Sequence, residues 1–312
     1  PANPTEVAVR QALVLYRAND CDGIISIGGG SSMDLGKGVA LTVTHDGPMN
    51  DYSAVNGGRD RIGGCPPIIA IPTTAGTGSE VGGGAVIITE DGHKVVIGSP
   101  NLLPKMAICD PELTLGLPKY LTAATGMDAM AHCIEAYCTP VVNPPAAAIG
   151  LDGLERVVTY LKRAVDDGQD REARWHMMMA ASEGAMAFAK GLGCVHSMSH
   201  ALGADEEMRL HHGTLNAVIL PTVLRFNADH VGDKYVRLRR AMGLEEGADI
   251  AAWIENFNVE LGLPGGLREM GVREDMFPAL AEHCMTDACH FANPRTPTVA
   301  QYEVMFAEAM GA

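Results

Sequence analysis

The chain has 312 residues, 47% of them hydrophobic and 20% charged, which is length enough for two domains and the balance of a globular protein with a sizeable core. A formal net charge of −15 argues against nucleic acid or an anionic membrane as partner, since both demand clustered Lys and Arg to displace counterions. Eight Cys without a Cys-x-x-Cys pair are too sparse for a disulfide scaffold, so reduced, buried thiols are expected. No apolar run approaches a membrane span, and the opening PANPTEVAVRQ lacks a basic start followed by an apolar core, so the expected location is the cytoplasm.

Residues 5 to 18 predict an amphipathic helix, with Thr5 as its cap and Val9, Leu13 and Tyr16 at helical spacing. Residues 22 to 43 pass from the β-branched run Ile24 to Ile27 through three glycines into a helical pattern. Strand, glycine turn and helix together bring backbone N–H groups and a helix N-terminus up to a phosphate. Gly-x-Gly-x-x-Gly fails where Met33 stands, and a P-loop ending at Gly36-Lys37 fails at Ser31 and Gly38. Phosphate binding therefore rests on geometry, beside the plainer reading of a tight turn. The strand PIIAIP, 67 to 72, runs into TTAGTGSEVGGG, 73 to 84, a polar loop of the kind that binds ligands at the carboxyl edge of an α/β sheet. Residues 85 to 100 read as a hairpin about Glu90-Asp91-Gly92, and 106 to 118 open on one more short strand. From 119 onward the pattern is helical, with breaks at Pro144-Pro145, Gly168, Gly191 to Gly193, Gly213, Gly262 to Gly266 and Pro294. The expected division is an α/β domain over 1–111 and an all-helical domain over 112–312.

TAATGMDAMAHCIEAY, 122 to 137, places Asp128 and His132 four apart on one helical face, with Thr125 ahead of Gly126 as a possible N-cap. Such a pair more often makes a surface hydrogen bond or a capped core histidine than a metal site. A second cluster changes the weighting, because residues 191 to 221 hold His196, His200, His211 and His212, with His196 and His200 repeating the spacing. One Asp with several His suits Zn²⁺ or Fe²⁺, which take imidazole nitrogen and carboxylate oxygen together. Five candidates compete for about four places, so at least one His has another task.

GMDAMAHCIEAY, GCVHSMSHALG and HHGTLNAVILP, with GGGSSMD and IPTTAGTGSE, resemble the iron-containing (group III) alcohol dehydrogenases, over a span from about residue 2 to TDACHFANPRTPT. The resemblance implies a Rossmann-like dinucleotide-binding α/β domain, here apparently lacking its first strands, followed by an all-α metal-binding domain. By position the metal ligands would be Asp128, His132, His196 and His212, holding Fe²⁺ or alternatively Zn²⁺. His200 would lie beside metal and nicotinamide as the proton relay, and His211 would be an exposed neighbour. NAD(P) would set its pyrophosphate against Gly29, Gly30 and Ser31 with Asp34 nearby, and its nicotinamide ribose and ring against Thr73, Thr74, Thr77 and Ser79. Lys94 would reach the ribose. Gly82 stands where many members have Thr, so that hydroxyl contact is absent. The implied activity is oxidation of a small primary alcohol or hydroxyacid to the aldehyde, or the reverse, by a homo-oligomer, expected as a dimer.

Hydroxyacid-oxoacid transhydrogenase and maleylacetate reductase activities belong to the same superfamily, and a metal-dependent hydrolase or a metal-stabilised non-enzyme would also use Asp and His ligands. The SMSHALG and LHHGTLNAVILP variants look closest to members acting on primary alcohols or 4-hydroxybutyrate. Family members carry strands ahead of the first helix, including the acidic residue that favours NAD over NADP, so a longer native polypeptide is expected.

Overall fold

The structure, a computed structural model, describes residues 4 to 92, 94 to 205 and 208 to 311. The chain forms two compact units, Pro1–Thr114 and Leu115–Ala312.

In the first unit, α1 (Glu6–Ala18) starts where the Thr5 hydroxyl accepts the Ala8 N–H at 3.2 Å. Then follow β1 (Ile24–Gly28), α2 (Gly30–Thr44), β2 (Ile68–Pro72), β3 (Gly84–Ile88), β4 (Lys94–Gly98) and β5 (Met106–Ala107). The parallel sheet has the order β1-β2-β5, with Ile24 opposite Ile68 and Ile69 opposite Met106. β3 and β4 form the expected antiparallel hairpin, Gly84 opposite Gly98 and Ile88 opposite Lys94. Val9, Leu41, Met49, Ile68, Ile87, Ile97 and Leu102 pack into one core. Alternation along β1 buries Ser26 and leaves Ile25 and Ile27 exposed.

The second unit contains α3 (Lys119–Cys138), α4 (Pro144–Asp166), α5 (Arg171–Ala187), α6 (Cys194–Gly203), α7 (His212–Asn227), α8 (Lys234–Ala241), α9 (Ile250–Glu260), α10 (Phe277–Thr286) and α11 (Val299–Ala309). Every residue of α3 from Thr122 to Cys138 is buried, so α3 is the central helix and lacks a polar face. Its start corrects one expectation. Thr125 is not a cap: the helix begins at Lys119 behind Pro118, and the Thr125 hydroxyl donates back to Leu121 O at 2.8 Å, inside the second turn. Pro144 marks a beginning, not only a break, because it occupies the first turn of α4 under the Asn143 cap. Among the described residues no helix is long and apolar enough to cross a membrane.

One buried cation organises the loop that follows β2. Lys37 on α2 is fully buried, and its Nζ donates to Ser79 O at 2.7 Å, Ser79 Oγ at 2.7 Å and Gly84 O at 2.8 Å. Ser79 Oγ donates onward to Asp34 Oδ1 at 2.9 Å, while Asp34 Oδ2 accepts the Val86 N–H at 3.0 Å. All three ammonium protons are used, and the middle and far end of the glycine-rich loop are tied to α2. Burial pulls the Lys37 pKa down to about 8, against the charges of Asp34 and Glu80.

Lys37→Met is expected to lower stability by about 3–5 kcal/mol in urea unfolding, because Asp34 loses its cation and two carbonyls lose their donor. Between pH 8 and the ordinary lysine value of 10.5 the unfolded chain binds more protons at Lys37 than the folded one. The stability of the wild type relative to Lys37→Met should therefore rise across that window. A flat or falling difference contradicts the buried-cation assignment.

Candidate metal centre and cofactor cradle

Asp128 lies in the middle of α3 with its side chain 3% exposed, and three imidazoles converge on one of its oxygens. From Asp128 Oδ1 it is 3.7 Å to His132 Nε2, 3.9 Å to His196 Nε2 and 3.6 Å to His212 Nε2. His132 sits one turn along α3, His196 comes from α6 and His212 opens α7. Gly213 permits the last approach. A Cβ there would lie 2.3 Å from Ala124 O, so only glycine lets the first turn of α7 touch α3. The expected break at Gly213 is thus one residue late, since the helix already includes His212.

A second layer orients the rings. Glu135 Oε2 accepts from His196 Nδ1 and Glu135 Oε1 accepts the Val195 N–H at 2.8 Å, which leaves the His196 Nε2 facing Asp128 in the neutral ring. Burial disfavours a charged His196, but the hydrogen bond and charge of Glu135 outweigh it and the pKa is raised. Ser199 Oγ lies 3.3 Å from His212 Nδ1.

His200 stands just outside this set. Its ring stacks on His212 with centroids 5.5 Å apart, and its Nδ1 lies 2.9 Å from Asp287 Oδ2. Burial alone would raise the Asp287 carboxyl, yet His200 and the Cys289 backbone N–H hold it well below the usual carboxylate range. His211 is a correction. It is not simply an exposed neighbour but the N-cap of α7, accepting from Thr214 N–H, and burial lowers its pKa.

The donor set fits a divalent ion. Metal–ligand bonds of roughly 2.0–2.2 Å place tetrahedral ligand atoms roughly 3.3–3.6 Å apart. The three edges from Asp128 Oδ1 lie within a few tenths of an ångström of that range. Ligand atoms of Asp128, His132 and His196 also lie within 4.8 Å of one another. One carboxylate oxygen with three imidazoles is chemistry for Fe²⁺ or Zn²⁺. The His212 side chain is 33% exposed where the other three ligands are nearly sealed, so the set is open on one side, as a catalytic site requires.

The first unit builds a different feature. The Thr73 N–H donates to Gly28 O at 2.8 Å, which joins the loop after β2 to the glycine turn after β1. A Cβ on Gly30 would lie 2.7 Å from the Thr77 methyl, and one on Gly29 would crowd Thr74. The turn is therefore packed directly under the threonine loop. Gly29 caps α2 without a side-chain oxygen, so the cap itself supplies no competing acceptor to the first turn. Ser31 lies in that turn and Lys94 opens β4. Asp34 and Ser79 are engaged inside the unit by the Lys37 network, so their hydrogen bonds hold the loop in place.

Four residues of these sites escaped the sequence reading. Glu135 carried a signal, since 128, 132 and 135 share one helical face, and Asn216 lies one turn beyond His212. Asp287 and Lys37 carried none, because their partners lie 87 and 42 residues away.

Two family models cover most of the chain: iron-containing alcohol dehydrogenase over residues 1–111, and the C-terminal part of the Fe-containing alcohol dehydrogenase family over 122–310. The chain is 56% identical to a 4-hydroxybutyrate dehydrogenase of Cupriavidus necator, across 99% of its own length and 83% of the relative's. Its fold matches the crystal structure of a 1,3-propanediol oxidoreductase with TM-score 0.93 and 36% identity, covering 98% and 82% of the two chains. It also matches a sulfoacetaldehyde reductase from Bifidobacterium kashiwanohense in complex with NAD⁺, with TM-score 0.88 and 29% identity over 99% and 81%. Matched along both units and so similar in sequence to a dehydrogenase of this kind, the chain belongs to the iron-containing alcohol dehydrogenase family, metal-dependent oxidoreductases that act on CH–OH groups.

Proposed function

We propose that the protein interconverts a short primary alcohol or terminal hydroxyacid and its aldehyde, with 4-hydroxybutyrate as the leading substrate class and NAD(P) as the redox partner. The observation that carries this is the convergence of three imidazole nitrogens on Asp128 Oδ1 at 3.6–3.9 Å. Substrate class is supported by the 56% identical relative, and the nicotinamide by the NAD⁺ complex of the structural neighbour. When bound, a divalent ion at Asp128, His132, His196 and His212, Fe²⁺ or alternatively Zn²⁺, supplies Lewis acidity to the alcohol or carbonyl oxygen, and a nicotinamide supplies the hydride acceptor or donor.

The chain's own residues do the rest. Glu135 keeps the His196 proton on Nδ1 and so presents a bare Nε2. His200, oriented by Asp287 through Nδ1, presents its other nitrogen as the proton relay. Gly29, Gly30 and Ser31 offer backbone N–H groups and a helix N-terminus to the pyrophosphate. Thr73, Thr74 and Thr77 would meet the nicotinamide half and Lys94 the ribose, while Asp34 and Ser79 hold the loop that carries those threonines. A domain division at residues 111 and 112 suits this split of tasks. The eight cysteines are free, in keeping with a reducing, cytoplasmic location, and a homodimer is the assembly we propose.

A panel of C2 to C5 alcohols, diols and ω-hydroxyacids, assayed by nicotinamide absorbance with NAD⁺ and NADP⁺, tests the reading. Turnover should be greatest with a four-carbon hydroxyacid or a primary diol, and silence across the panel in both directions overturns it. Asp128→Ala removes the one anionic ligand and is expected to purify without metal; wild-type metal content by elemental analysis would refute the ligand assignment. His200→Ala should retain metal and turn over roughly 10²–10⁴-fold more slowly, whereas His196→Ala and His212→Ala should lose metal. The opposite pattern of metal content exchanges the roles of His200 and His196.

A further inference from the structure

Asn216 lies one turn beyond His212 on α7 and is fully buried. Its Nδ2 donates to Asp128 Oδ1 at 2.7 Å and stands 3.1 Å from His212 Nε2 and 3.3 Å from His196 Nε2. Three of the four atoms assigned to the metal thus surround a single amide nitrogen. At its other end, Asn216 Oδ1 is buried and has no hydrogen-bond partner among the described residues.

This orientation is imposed and not a matter of choice. With the amide turned over, its oxygen would face a carboxylate oxygen and the bare Nε2 of His196, both acceptors. The nitrogen-inward arrangement prevails although it strands the carbonyl, so the contact with Asp128 dominates the placement of this side chain. Lone-pair counting then separates the three contacts. An imidazole Nε2 has one lone pair, so it serves either an amide N–H or a metal. A carboxylate oxygen has two, so Asp128 Oδ1 can accept from Asn216 and bind a cation at the same time.

We propose that Asn216 is a positioning residue of the metal centre: its amide N–H occupies one lone pair of Asp128 Oδ1 and aims the other at the point where the imidazole nitrogens converge, and this sets the affinity for the divalent ion. The inference rests on the ligand assignment under Proposed function. Asn216 itself contributes no ligand atom. Its effect reaches the ion through Asp128, as a hydrogen-bonded neighbour tunes a metal ligand.

The test is the dissociation constant for Zn²⁺ and Co²⁺, measured by competition with a chromophoric chelator on the full chain, together with the visible spectrum of the Co²⁺-loaded protein and the melting temperature of the metal-stripped protein. Asn216→Leu keeps the volume but removes the N–H. It should weaken both metals by about 10–100-fold and alter the Co²⁺ bands, while the melting temperature of the stripped protein changes little, because loss of the donor to Asp128 is offset by removal of the stranded carbonyl. Asn216→Ala supplies the dissociation-constant and Co²⁺ readouts if the leucine variant does not fold, its melting temperature being lowered by the cavity alone. A wild-type dissociation constant and an unchanged Co²⁺ spectrum overturn the proposal. So does weaker binding accompanied by a matching loss of melting temperature in the stripped leucine variant, which makes the residue merely structural. Asp128→Ala distinguishes the two levels: if it binds metal like wild type, the ligand assignment fails, whereas if it loses metal while Asn216→Leu does not, only the role of Asn216 fails.

Discussion

A carboxylate buried in the centre of an all-helical unit is the constraint on which the second half of this protein depends. Left alone, a carboxylate at that depth would be prohibitively expensive to desolvate. Asp128 is sustained there by the Asn216 amide, which donates to Oδ1, while α3, α6 and α7 each bring an imidazole nitrogen toward the same oxygen, a set whose charge balance a bound cation would complete. Those helices can meet only where side chains are absent, as the contact of Gly213 with the carbonyl of Ala124 shows. The burial of α3 on all sides follows from the same demand.

The outer layer turns this electrostatic solution into a chemical one. Glu135 fixes a tautomer of His196 and also accepts the backbone N–H at the start of α6, so one carboxylate positions both a ring and the helix that carries it. Asp287 does the equivalent for His200 from outside the ligand set. Carboxylate-backed imidazoles of two kinds therefore stand side by side. One kind faces the buried Asp128 carboxylate, and the other stands outside that set against Asp287.

The first unit uses a buried cation where the second uses a buried anion. Lys37 spends its three protons on the backbone and side chain of the glycine-rich loop, and Ser79 passes the interaction on to Asp34. Glycine and threonine residues chosen for close approach would otherwise form a floppy segment. Tied at Ser79 and Gly84, and joined to the glycine turn through Thr73, the loop takes a defined shape. Preorganisation of this kind lowers the conformational entropy lost on binding.

Local order was legible in the sequence, because it is dictated by spacing over a few residues. The period of 3.6 put Asp128 and His132 on one face, alternation and the Glu90-Asp91-Gly92 turn produced the hairpin, and the run Ile24 to Ile27 followed by glycines marked the strand, turn and helix. The long motifs did more, since they carried the family. What spacing could not decide was everything that depends on a partner far along the chain. Thr125 looked like a cap until the helix was seen to start behind Pro118, and His211 looked like a bystander until it capped α7. Glu135 meets His196 across 61 residues, Asn216 meets Asp128 across 88, and Asp287 meets His200 across 87. Such pairs are selected by helix packing and by the need to satisfy each buried polar atom, two conditions that exist only once the chain has folded.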